Sequence, residues 1–149
     1  MSRIFTLTGP DDEVVQGLRL ARSEGPLNWR SLDDEVFSVA EFAQSGHDLL
    51  RALVVGAAGI LKRSPPELSF GRPVASGPSD CLPLGAPVVE LLSRLDDTKL
   101  RALCESAWAK LEKSVELDPD WTQSVRTLVI QARSAVANGW RVFVVGLTS

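Results

Sequence analysis

The sequence predicts an α+β fold: one domain of about five helices packed on a small sheet that includes the N- and C-terminal strands. Three observations carry that expectation. Apolar residues recur at helical period through most of the middle of the chain. Short β-branched and aromatic runs stand at the two ends, at residues 3–8 and 140–145, and two terminal strands in a mostly helical chain most simply share one sheet. The length of 149 residues, with 44% apolar content, is that of one ordinary domain. A chain of that size buries about two-thirds of its unfolded surface.

In chain order, Arg3 to Thr8 reads as the first strand and stops at Gly9-Pro10. The acidic turn Asp11-Asp12-Glu13 leads into Val14, Val15, Leu18 and Ala21 at helical spacing, with Arg19 and Arg22 near the C-terminal end, where the helix dipole favours cations. Gly25-Pro26 closes that segment. Residues 27 to 34 form a connection carrying Trp29, and helix is preferred for the apolar patch Val36, Phe37, Val39, Ala40 and Phe42. From His47 to Leu61 the positions Leu49, Leu50, Leu53, Val54, Ala57, Ile60 and Leu61 give the most hydrophobic helix. Gly56 and Gly59 within it suit close helix packing or a helix break.

Between Lys62 and Pro87 stand six prolines and three glycines, so few regular backbone hydrogen bonds can form there. A short strand near Leu68 to Phe70 is expected inside this loop-like segment. Pro87 in a first helical turn opens the next helix, and Asp96-Asp97 cap another whose face is Leu100, Leu103, Cys104, Ala107, Trp108, Leu111 and Val115. The last helix has Trp121, Val125, Leu128, Val129, Ala132 and Val136 on one face, starts at Asp118-Pro119-Asp120 and stops at Asn138-Gly139. The strand after it is apolar on both sides, as a central strand requires.

Composition narrows the classes of partner. A formal charge of −3 and a pI near 5.2 come with no basic stripe, so nucleic acid is not an expected partner. No apolar run has the length of a membrane span, and no secretory apolar core follows Met1, so a cytoplasmic protein with no membrane contact is expected. Cys81 and Cys104 do not make a disulfide framework and are read as free thiols.

Chemistry-bearing motifs are scarce. Val54-Val55-Gly56-Ala57-Ala58-Gly59 lacks the G-x-G-x-x-G spacing, and the run before it has helical rather than strand period. No cofactor is expected. His47 is the one histidine, so neither a histidine metal cluster nor, with two cysteines, a structural zinc site can be assembled. The catalytic candidates reduce to His47, Asp48 and Cys81. A cysteine nucleophile would need His47 as its base, and Asp80 beside Cys81 would raise the thiol pKa rather than lower it. Cys104 falls on an apolar helix face and is read as structural. The pairs Asp11-Asp12, Asp33-Asp34 and Asp96-Asp97 precede apolar-periodic segments, and capping or dipole duty accounts for them.

The stretch from Phe42 to Gly56, with Leu50, Leu53 and Gly56 in register, resembles a helix of the uncharacterised YfbM-like family of small bacterial proteins. The segment Leu82-Pro83-Leu84-Gly85-Ala86-Pro87-Val88 resembles that family's entry to its next helix, and the closing helix and strand are similar too. On this alignment His47, Arg51 and Val55 stand where the family has tryptophan, histidine and threonine. The resemblance implies a single α+β domain and lends no activity.

The functional expectation is a small non-enzymatic protein-binding domain, an immunity partner of a toxin by analogy, with Val74, Leu82 and Leu84 of the Pro/Gly-rich segment (about residues 63–87) as contact residues. The alternative expectation is a small hydrolase or transferase using Cys81 or His47. The surroundings of His47 discriminate: a concave pocket with a carboxylate or thiol in reach favours the enzyme, an exposed helix end the binding domain.

Overall fold

The computed structural model describes residues 4–9, 38–42, 46–72, 82–112 and 118–145. Within them the terminal runs pair as their composition predicts. Strand β1 (Ile4–Gly9) lies antiparallel to strand β4 (Arg141–Val145), with Thr6 opposite Val144 and Thr8 opposite Val142. The sheet is completed by β2 (Ser38–Phe42) and the two-residue β3 (Leu82–Pro83), in the order β2-β1-β4-β3 with every pairing antiparallel. β4 is therefore interior, as its apolar character on both faces requires, and Val142, Phe143 and Val144 are fully buried.

β2 corrects the expectation of a helix over 36–42. Ala40 and Phe42, two residues apart, both reach the core, while Ala40 pairs with Thr6 and Phe42 with Ile4 of β1. A short apolar run fits period 2 as well as 3.6, and strand pairing decides between them. The helix expected from Pro10 to Arg22 lies outside the described residues.

The described residues include four helices, α1 (Gly46–Ile60), α2 (Ala86–Ser93), α3 (Asp97–Glu112) and α4 (Pro119–Asn138), of which α4 packs directly on the sheet. The chain is thus an α+β unit with its two terminal strands adjacent. α4 contacts β1, β2 and β4, α2 packs on α4, and α1 packs on α3 and α2. Three of these helices begin where their sequence signals say. Pro87 sits in the first turn of α2, Asp96 Oδ1 accepts from the Lys99 amide at 2.8 Å before α3, and Asp118 Oδ1 accepts from the Asp120 amide at 2.9 Å before α4. Gly139 takes φ +70° at the end of α4, and the Trp140 amide reaches back to Ala135 O at 2.9 Å.

The core joins Leu49, Leu50 and Leu53 of α1, Leu103 and Cys104 of α3, Leu128 and Val129 of α4, and Val142 and Val144 of the sheet. Trp108 and Leu111, expected within it, are only partly buried at its border. Gly56 has the close-packing role: a Cβ there would lie 2.8 Å from Leu103 Cδ1 of α3, whereas one at Gly59 would meet nothing within 4 Å. On the sheet face opposite the helices, Leu7 and Phe143 pair across β1 and β4, both fully buried.

α1 ends in a motif made by an unusual residue. The Arg63 amide bonds Ala58 O at 2.9 Å, the Lys62 amide bonds Gly59 O at 3.3 Å, and Lys62 has φ +56°. Glycine occupies that left-handed position without a Cβ penalty. Lys62→Gly is expected to raise stability by about 0.5–1 kcal/mol, the relief of a left-handed side chain less the added freedom of the unfolded chain. Urea denaturation measures it, and an unchanged or lowered midpoint would contradict the cap geometry.

Candidate functional site

A groove opens where α2, the end of α4 and the start of β4 meet, and local sequence builds each wall. Gly85, just before α2, has no room for a side chain: a Cβ there would stand 2.3 Å from Ser69 Oγ and 2.9 Å from Ser69 O. That contact sets the turn that delivers Leu84, Ala86 and Val89 to one wall. The left-handed Gly139 ends α4 and sends the chain into Trp140 and Arg141, which form the other wall with Ala135 and Val136. The cavity measures about 700 Å³ and is open to solvent. Its size lies within the range of ordinary ligand clefts, roughly 300–1,000 Å³.

The lining is mainly apolar. Val136 is 53% exposed, although its position on the α4 face reads as core. Charge is confined to Glu90, Arg94 and Arg141. Glu90 and Arg94 form an i,i+4 pair at 2.6 Å, and the hydrogen bond and charge of Arg94 hold the Glu90 carboxyl below the usual range. Ser93 donates its hydroxyl to Glu90 O at 2.6 Å. The Arg141 guanidinium stands 5.0 Å from the Phe143 ring centroid. No histidine or cysteine among the described residues lines this groove. The arrangement can hold an apolar group between polar rims.

The residues singled out by sequence are dispersed. His47 is exposed in the first turn of α1, its ring edge-on to Phe70 with centroids 6.2 Å apart. Asp48, also exposed, borders a different depression with Arg51, Val55 and Lys110. Cys81 and Val74 lie outside the described residues. Leu82 is half-buried opposite Val144, and Leu84 is both a core residue and part of the groove wall. Instead of a strand at 68–70, Phe70 makes one bridge to Leu84. Sequence reading missed the exposure of Val136 and the half-exposed place of Trp140 at the core border. The available signal was position: both lie within three residues of the Gly139 stop, where a helix face can run past its sheet.

Among the described residues no group of three or more His, Cys, Asp or Glu side chains is gathered as a metal site would need, and no helix is long and apolar enough to cross a membrane. Cys104 is fully buried on α3, and desolvation, with the charge of Glu105, pushes its thiol up to about 11. The thiolate is the reactive form. Cys104 is therefore expected to resist a thiol reagent at pH 8 in the native protein and to react quickly in denaturant, and rapid native labelling would displace it from the core. Comparison with protein-family models, curated proteins and solved structures finds no match to the chain.

Proposed function

We propose that this chain is a non-enzymatic protein-binding domain and that the groove between α2, α4 and β4 is its contact surface. The observation that carries the reading is the exposed Val136 beside Trp140 in an apolar cleft rimmed by Glu90, Arg94 and Arg141. Binding surfaces concentrate their energy in such aromatic and arginine-rimmed apolar pockets. The exposed helix-end position of His47 supports the same reading over the enzyme. An immunity-type partner of a toxin suits the acidic net charge of −3, and the YfbM-like resemblance adds no activity to choose another. Part of the Pro/Gly-rich segment contributes directly, through Leu84 in the groove wall.

The test compares two exposed valine-like positions on the same helix. Val136→Asp places a charge in the groove, whereas Ile130→Asp places one at a site 46% exposed and outside it. Affinity capture from the native cytosol is expected to retain its specific partner with wild type and Ile130→Asp and to lose it with Val136→Asp. A charge buried at the centre of an interface costs about 2 kcal/mol or more, a thirtyfold loss of affinity. Equal capture by all three would remove the groove from the interface, and turnover of a small molecule by all three would favour the enzyme.

A further inference from the structure

We propose that residues 69–71, which pair with the β3 edge through a single bridge at Phe70, stand in for a displaceable edge strand, and that the segment able to take their place is an extended peptide carrying an aromatic residue followed by glycine. This rests on the partner-binding reading and specifies the partner's chemistry.

On its inner side β3 is joined to β4, and the Leu84 amide bonds Val142 O at 2.7 Å. On its outer side it is covered by residues 69–71 alone among the described residues. The Gly71 amide donates to Pro83 O at 2.9 Å, the Gly85 amide donates to Ser69 O at 2.8 Å, and Phe70 bridges Leu84. Pro83 has no N–H to add to the ladder. Ser69 and Gly71 are exposed and Phe70 is half-buried against the exposed His47 ring. Two backbone hydrogen bonds, the ring contact with His47 and the partial burial of Phe70 at the core border hold this strand, against a five-residue register between β1 and β4. Segments with so few buried contacts open locally without global unfolding.

The strand now in place shows what fits. A Cβ at Gly71 would lie 2.7 Å from Pro83 Cγ, so this position takes glycine. The absence of a Cβ at Gly85 makes the room that the Ser69 backbone fills. The residue between them is aromatic and packs at the core border. Gly71 also lines the groove, so a strand seated here borders the same cleft as Val136 and Trp140. Adding a strand to an open sheet edge is an established mode of peptide recognition, with backbone bonds giving affinity and side-chain pockets giving specificity.

Native-state hydrogen exchange on the full chain is the first test. The Gly71 and Gly85 amides are expected to exchange at least about tenfold faster than the Leu84 amide, and exchange as slow as that of Leu84 would overturn the proposal. The second uses a labelled synthetic peptide of residues 66–72 and the full-length Phe70→Ala protein. The weakened strand is expected to admit the peptide at least about tenfold more tightly than wild type does, and a peptide with glycine 71 replaced by alanine should not bind. Absence of peptide binding by a folded Phe70→Ala protein would overturn the proposal, and if that variant unfolds, exchange in the wild type decides. Val136→Asp separates the two readings. It should lose the native partner while the Gly71 and Gly85 amides keep their fast exchange, so a failed groove and a fixed edge strand give different results.

Discussion

Leu128→Ala is expected to lower the unfolding free energy by about 2–5 kcal/mol, the range for leucine truncation in a packed core. Leu128 is fully buried near the middle of α4, on the face turned to the core. The cost depends on how far the neighbours can close the cavity. They are held on several sides: α4 is capped by Asp118 at one end and turned by Gly139 at the other, and Arg133 donates to Leu95 O beyond the end of α2. A helix fixed in this way cannot sink towards the sheet, which places the expected value in the upper half of the range. Two positions along the same helix, Ile130→Ala removes a side chain that is 46% exposed and should change stability by no more than about 0.5 kcal/mol. Urea midpoints of the two variants at unchanged slope measure the contrast. Equal midpoints would mean that the two faces of α4 have been exchanged.

Those faces were legible because α4 is long. Over twenty residues a 3.6 period separates Leu128 and Val129 from Arg126 and Ile130 with little ambiguity, and the same holds for α1 and α3. β4 was legible for the opposite reason, being apolar at every position after Arg141 and bounded by a glycine stop. β2 was not, because its five residues satisfy two periods and only the long-range pairing with β1 chooses one. β3 is shorter still: Leu82 and Pro83 carry no strand signal, and they pair because Gly85 and Gly71 let neighbouring backbone approach. The groove was hidden by the same nonlocality. Val136 keeps the period of its buried partners and becomes exposed only because the helix outruns what it packs on, a property of tertiary placement that spacing does not encode.

The buried polar contact between Thr6 and Gln131 gives the second large effect, and it tests register as well as stability. Neither residue stands out in the sequence, yet both are fully buried. Gln131 Oε1 accepts from Thr6 Oγ1 at 2.8 Å, and Gln131 Nε2 donates to Thr6 O at 3.0 Å. Because side chains alternate along a strand, slipping β1 by one residue would turn Thr6 to the other face and bring an apolar neighbour against Gln131. The reciprocal pair therefore penalises the wrong register. Gln131→Leu is expected to destabilise the fold by about 1–3 kcal/mol for each buried group it leaves unpaired, and Thr6→Val by about 1–3 kcal/mol through the loss of the hydroxyl that donates to Oε1. Removing both partners leaves fewer orphans than the two single changes together. The double variant should accordingly be more stable than their sum predicts, by roughly 1 kcal/mol or more. Denaturation of the four proteins of this cycle measures the coupling directly. Additivity within about 0.5 kcal/mol, the behaviour of sites without shared partners, would show that Thr6 does not face α4 and that the register of β1 against β4 must be redrawn.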